Sequence, residues 1–367
     1  MIYFTIQTNQ FYQNKNDFLS LLNDPINYRY KNNWNIENKT FRIETKYAQN
    51  YWEKHKPNIM LPPIPCLKDD IKNHYYSFKI PKKTNPKKFR EIDAPDPILK
   101  NYQTYLKNTI EFILHTLPHN AAHAYVQNRS IKTALEIHQK NKSKWFLKLD
   151  LKDFFPSHNK EYITKTLKQI YPFAFMFDDD KYKEFINNMI DYALLNNKLP
   201  QGTPLSPTLT NILMVPIDYQ ISKEINNIDN TYYVYTRYAD DLLISSKYKF
   251  DYKLITNIIH NIFIKNNTPF KINTEKTRFG SSSGKNWNLG LMLNKDNKIT
   301  IGHKNNQKMR AMLNSFCHNY ATYSVEEKQH IQGLLAYYKS IEPDYIKYCI
   351  DKYNKKFNIN IEYQLKK

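Results

Sequence analysis

The stretch Thr236-Arg237-Tyr238-Ala239-Asp240-Asp241-Leu242-Leu243-Ile244 sets two adjacent aspartates between two runs of strand-forming residues. Upstream, Thr231-Tyr232-Tyr233-Val234-Tyr235 is β-branched and aromatic, the composition of a paired strand. The chain therefore has to turn near Asp240 and Asp241, and a hairpin tip carries both. Side-by-side carboxylates repel, and each raises the other's pKa unless a cation sits between them. A divalent ion meets that need. An ordinary polar turn is the competing account, because Asp favours turns, and two further stretches bear on the choice.

Trp145-Phe146-Leu147-Lys148-Leu149-Asp150 is an apolar strand that runs straight into an acid. A carboxylate fixed at a strand end can be aimed at a metal held by a neighbouring hairpin. Leu199-Pro200-Gln201-Gly202-Thr203-Pro204 is a Gly/Pro loop, and Leu205 to Asn211 then turns apolar at helical spacing. This pattern suits a loop that feeds a helix supporting a bound base.

In this order the three segments resemble motifs A, B and C of the reverse transcriptases, palm-domain polymerases that copy RNA into DNA. The resemblance implies an α+β right-hand polymerase fold: fingers, a palm of antiparallel sheet flanked by helices, and a helical thumb. It implies transfer of dNTPs by two Mg2+ ions ~3.5 to 4 Å apart, which hold the attacking and leaving oxygens; Mn2+ would substitute. Mg2+ takes hard oxygen ligands and keeps some waters. Asp150 and Asp240 are expected as bridging ligands, Asp241 as a third, and the backbone carbonyl of Leu151 is implied by the resemblance.

Further site residues follow the same likeness. Tyr75 to Lys83 and Lys87 to Pro95 form two short strands around a basic Asn-Pro turn, similar to the fingers hairpin that grips the triphosphate. Arg90 fits its Arg, and Lys82 or Lys83 its Lys. Phe155 stands five residues after Asp150, where the family places a bulky aromatic that excludes a 2′-hydroxyl. The neighbouring Phe154 is the better core residue, since adjacent strand residues face opposite ways. Gln201 and Gly202 are expected near the template base and the nucleotide, with glycine allowing close backbone approach. Phe270 to Phe279 resembles motif D, whose Lys276 would protonate or neutralise the leaving pyrophosphate. Asn288 to Asn294 resembles the primer grip of motif E. Arg129, Tyr238, Leu289 and Gly290 are expected to touch nucleic acid.

Other acids and histidines have plainer readings. Asp178-Asp179-Asp180 precedes an amphipathic helical stripe and fits a helix cap. His115, His119 and His123 recur every four residues, but Pro118 breaks the helix that would align them.

Lys+Arg 54 against Asp+Glu 34 leaves a net charge of +20, and pI is near 9.4. Such an excess suits a polyanionic partner, and 30 tyrosines offer stacking platforms for unpaired bases. An AT-rich genome, which would inflate Lys, Asn, Tyr and Ile whatever the function, is the competing account of the same numbers. Cys66, Cys317 and Cys349 show no paired spacing, which points to a reducing compartment and excludes a disulfide framework. With no signal peptide and no long apolar run, the chain is expected in the cytoplasm.

The expected organisation is an N-terminal extension over 1–70 that packs against the fingers, fingers over 71–145, palm over 146–303 and a helical thumb over 304–367. In the thumb, Ser324 and Glu327 form a capping box and Pro343 opens a helix. No maturase or zinc endonuclease extension is expected after the thumb, which argues against an intron-encoded protein. The short thumb and Tyr-Ala-Asp-Asp look bacterial, near retrons and group II intron enzymes. Retrons carry an Asn-Ala-x-x-His box, whereas Thr133-Ala134-Leu135-Glu136-Ile137-His138 is spaced differently, and Asn288-Leu289-Gly290 stands in place of their Val-Thr-Gly. The resemblance thus points to a defence-associated reverse transcriptase templated by a structured noncoding RNA and acting against phage. The alternatives are a retron enzyme making a branched RNA–DNA hybrid, template-independent or protein-primed synthesis, and a non-catalytic nucleic-acid-binding scaffold. Homo-oligomers and accessory proteins stay open.

Overall fold

The computed structural model describes residues 2–5, 34–35, 40–43, 45–58, 61, 67, 70–82, 85–113, 118–228, 232–282, 287 and 290–367. Lys83, His115, Asn288 and Leu289 lie outside the described residues. In chain order the elements are β1 (Ile2–Thr5), β2 (Trp34–Asn35), β3 (Thr40–Ile43), α1 (Thr45–His55), β4 (Tyr75–Lys82), β5 (Asn85–Pro95) and α2 (Pro97–Asn108). There follow α3 (Ile131–Lys140), β6 (Trp145–Asp150), α4 (Lys160–Leu167), α5 (Phe173–Met176), α6 (Asp180–Ala193), α7 (Leu205–Leu213) and α8 (Val215–Ile225). The chain continues through β7 (Val234–Tyr238), β8 (Asp241–Ser246), α9 (Tyr252–Lys265), β9 (Arg278–Ser281), β10 (Met292–Leu293) and β11 (Ile299–Thr300). It closes with α10 (His303–Asn319), α11 (Val325–Ile341), α12 (Pro343–Phe357) and α13 (Ile361–Lys366). The architecture is α+β, as expected.

A four-stranded sheet of order β7-β8-β6-β9 carries the aspartates, and β6 pairs antiparallel with β9 from Trp145 opposite Ser281 to Lys148 opposite Arg278. The only residues between β7 and β8 are Ala239 and Asp240, so the hairpin tip falls where the double aspartate requires it, and Asp241 already opens β8.

The chain divides into two compact units interleaved in sequence: 1–128, 149–242 and 251–277 in the first, and 129–148, 243–250 and 278–367 in the second. The first has a core built by α2 and α4 to α8, with Phe173, Ile186, Met189, Leu209 and Leu213 fully or almost fully buried. Its described N-terminal part packs on the stretch from Gln169 to Tyr182. Tyr3 exchanges backbone hydrogen bonds with Gln169 and Tyr171, and the Trp52 ring meets Tyr182 edge-on at 5.1 Å between centroids. The long hairpin of β4 and β5 pairs Tyr75 with Pro95 and Ile80 with Arg90.

The second unit is the helical C-terminal part around Leu313, Phe316, Ile331, Leu335, Ile346 and Ile350. Ser324 and Glu327 make the capping box that opens α11, and Pro343 starts α12. Cys317 and Cys349 are buried free thiols in this core.

One local feature departs from the expectation. Residues 152–157 form turns, not a continued strand, so strand alternation does not separate Phe154 from Phe155; both are buried, at 4% and 8% exposure. His119 and His123 both sit in irregular loop segments, not on one helix face, as the break at Pro118 implies. Asp179 caps α6 by accepting from Lys181 N at 3.1 Å, so that acid does serve a helix end.

Candidate active site

Asp150 is the last residue of β6, and its side chain is 9% exposed. The next residue ties it to the hairpin: Leu151 N donates to the Asp240 carbonyl at 3.0 Å. The two segments expected to share one site are thus adjacent, although 90 residues separate them in the chain.

The electrostatics of the site show an unmet demand for positive charge. Burial, then the charges of Asp241 and Asp150, push the Asp240 carboxyl up to about 6. Lys276, in the short helical turn Thr274–Lys276, places Nζ 2.9 and 2.8 Å from the two oxygens of Asp150. Burial alone would lower its pKa, but the hydrogen bond and charge of Asp150 outweigh that and raise it, so Lys276 stays an ammonium. Asn273 Nδ2 adds a donor to Asp150 Oδ1 at 3.2 Å. Among the described residues no three carboxylate, imidazole or thiolate groups close around one point as a finished metal cage. Asp150, Asp240 and Asp241 offer oxygen donors only and carry more negative charge than Lys276 cancels, which fits a hard divalent cation that takes its remaining ligands from substrate and water.

The turn at Ala239 and Asp240 is held by a buried ionic group that periodicity alone did not reveal. Arg237, in β7, and Asp218, in α8, are both completely buried, and Arg237 Nη2 lies 2.9 Å from Asp218 Oδ2. Tyr235 O–H donates to Asp218 Oδ1 at 2.7 Å. Arg237 Nη1 reaches two further acceptors, Asn211 Oδ1 at 3.1 Å and the Ala239 carbonyl at 3.2 Å. Ala239 has φ of +55°, a left-handed conformation that a non-glycine residue keeps only when its surroundings impose it. The signal was present in the sequence: a lone Arg in a strand of aromatic and β-branched residues and a lone Asp in an apolar helix are buried economically only as partners.

Gln201 and Gly202 form a turn ahead of α7. Gly202 has φ of +117°, and a Cβ there would lie 2.7 Å from Ile92 Cγ2 and 3.2 Å from the Asp93 carbonyl. Glycine is required on both counts. The loop is pinned to the hairpin of β4 and β5, because Asp93 N donates to the Gln201 carbonyl at 2.8 Å. Arg90 is exposed on β5. Phe155 is fixed by His158, whose Nδ1 lies 2.7 Å from the Phe154 carbonyl and 3.3 Å from that of Phe155. Tyr238 ends β7 half-buried. Arg129 belongs to the second unit, where burial lowers its guanidinium to about 10. Gly290, also there, has φ of +112° and open space where a side chain would project.

The family of proteins described as reverse transcriptase (RNA-dependent DNA polymerase) matches residues 80–319. Retron Ec73 reverse transcriptase of Escherichia coli is 32% identical over 262 residues, 70% of this chain and 80% of that protein. Retron Ec83 reverse transcriptase of the same species is 29% identical over 296 residues, 78% of this chain and 89% of its own length. A telomerase from Candida tropicalis overlays at a TM-score of 0.48 with 12% identity, covering 95% of this chain and 72% of that one, an overlap too loose to argue from. With the matched region taking in β5, Asp150 and the double aspartate, the chain belongs to the reverse transcriptase family, the RNA-directed DNA polymerases, and is of the bacterial retron type.

Proposed function

We propose that the chain copies a structured noncoding RNA into DNA, with Asp150, Asp240 and Asp241 as the ligands of two Mg2+ ions and with the product serving antiphage defence. The observation that carries the metal assignment is the raised Asp240 carboxyl beside Asp150 and Asp241, an oxygen-only site short of positive charge. When bound, the metal pair supplies Lewis-acid stabilisation of the attacking and leaving oxygens.

The protein's own groups do the rest. Arg237 fixes the backbone of the turn, so the Asp240 carboxylate needs little reorganisation during the reaction. Lys276, kept protonated by Asp150, supplies a cation and a proton for the leaving pyrophosphate. Arg90 on the exposed hairpin meets the triphosphate, and Lys83 is proposed to join it. Gln201 and Gly202 offer a close backbone approach to the nucleotide. Phe155 crowds out a 2′-hydroxyl. Arg129, Tyr238, Leu289 and Gly290 contact template and primer. The high positive charge holds the phosphate backbone.

The retron reverse transcriptases among the relatives support an RNA template. Sequencing of nucleic acid that copurifies with the protein tests the reading. The parent should carry one RNA species together with DNA complementary to it, and Asp240→Ala should carry the RNA alone. Phage plating on cells with either version tests the defence role, with protection expected only from the parent. DNA of equal amount in both preparations would contradict the proposal.

A further inference from the structure

Tyr125 stands at the candidate site in a conformation that its own packing does not explain. The segment before it lies against β7: Arg237 N donates to the Ala121 carbonyl at 2.6 Å and His123 N to the Arg237 carbonyl at 2.8 Å. Asn211, which accepts from Arg237, also donates through Nδ2 to the Ala124 carbonyl at 2.8 Å. The same clamp that holds the catalytic turn therefore delivers the chain to position 125. There the backbone turns left-handed, with φ of +59°, an outlier for a bulky residue that glycine or asparagine would adopt with less strain. The tyrosine side chain does not repay that strain by burial, since 54% of the residue is exposed.

What its ring touches is Phe155. The two centroids are 6.3 Å apart with planes at 65°, an edge-to-face pair. Phe155 is itself 8% exposed and braced by Phe154 and His158. The Tyr125 phenol is also within electrostatic reach of Asp240, Tyr238 and Arg90. An exposed aromatic wall thus adjoins the residue assigned to exclude a 2′-hydroxyl.

We propose that Tyr125 is a specificity-determining residue, the second wall, with Phe155, of the pocket that admits deoxyribose and rejects ribose. The inference rests on the nucleotide site proposed above. One rigid face can be evaded by a small tilt of the sugar. A second ring at an angle to the first removes that escape.

The test compares insertion of dGTP and GTP opposite a template C by the full chain, as the ratio of kcat/KM values, in the parent, Tyr125→Gly and Tyr125→Phe. Glycine accepts the positive φ, so Tyr125→Gly should fold at least as well as the parent, checked by its thermal midpoint. Its preference for dGTP should fall by roughly ten- to hundredfold, the range over which one small group is sorted by a pocket wall. Tyr125→Phe keeps the ring and should keep the parent's ratio. An unchanged ratio in Tyr125→Gly, or equal loss of both nucleotides, overturns the proposal. Asp240→Ala serves as the separate control: if it still inserts dGTP, the underlying site assignment fails whatever Tyr125 does.

Discussion

The ammonium of Lys276 chelates the carboxylate of Asp150, 2.9 Å from one oxygen and 2.8 Å from the other. In this arrangement the lysine holds ligand positions that a divalent ion would need. On the proposed metal assignment, Lys276 and the ion would therefore compete for Asp150. Removing the lysine by Lys276→Gln should lower the Mg2+ concentration for half-maximal incorporation and also slow the step by about 100-fold, the low end of what a positioned acid contributes. Because the Lys276 side chain is 60% exposed, folding stability should change by less than about 1 kcal/mol. A Mg2+ titration of single-nucleotide incorporation measures both effects, and an unchanged maximal rate would remove Lys276 from the chemistry.

The Asp240 carboxyl gives a pH signature. Its pKa is about 6 in the folded chain against an ordinary 3.8, so between these values the folded state holds a proton that the unfolded state has lost. Stability must then fall as pH rises from about 4 to about 6 and remain lower above it. Asp240→Asn removes the buried charge. Without metal at pH 8 it should be more stable than the parent by about 1 to 3 kcal/mol, with the difference gone below pH 4. Denaturant melts across pH check this. Mg2+ should stabilise the parent and not the variant.

Arg237 and Asp218 separate stability from function. Arg237→Met leaves a fully buried carboxylate unpaired and should cost about 3 to 5 kcal/mol. Adding Asp218→Leu should restore much of that loss, since apolar pairs replace buried ion pairs well. Incorporation should not return, because the Ala239 carbonyl still lacks its guanidinium donor. Melts and incorporation rates on the single and double variants test the split.

Much of this site was legible because the deciding features are local. Asp150 ends an apolar strand, Asp240 sits between two strand-forming runs, and Gly202 opens a Pro-rich loop, so composition and spacing place each on its element. The partners of these residues were not legible. Arg237 and Asp218 lie 19 positions apart on a strand and a helix, and only the packing of α8 against β7 brings them together. Tyr125 depends on a left-handed turn that no residue preference announces. The differently spaced box at Thr133 also has a local explanation. Thr133 and Ser130 make the capping box of α3, with Ser130 N donating to Thr133 Oγ1 at 2.7 Å. His138 Nδ1 meets Ser245 Oγ at 2.5 Å. Those residues secure a helix, and the retron likeness is carried by the wider sequence.

Gly202→Ala should damage the nucleotide loop without touching a carboxylate. The new Cβ meets Ile92 Cγ2 and the Asp93 carbonyl while the backbone keeps a φ of +117°. A loss of about 1 to 3 kcal/mol is expected, with a raised KM for dNTP. Ile92→Ala in the same chain should relieve only the side-chain clash, because the backbone strain and the Asp93 carbonyl remain. Steady-state kinetics and melts on the single and double variants decide it.

The most direct measurement is Mg2+-dependent incorporation of one dNTP on a defined RNA template with an annealed primer, comparing the full chain with Asp150→Ala and Asp240→Ala under single-turnover conditions. The parent should extend the primer, and each variant should be slower by at least about 1,000-fold, as expected when a metal-bound transition state loses a ligand. Extension at the parental rate by either variant would contradict the account.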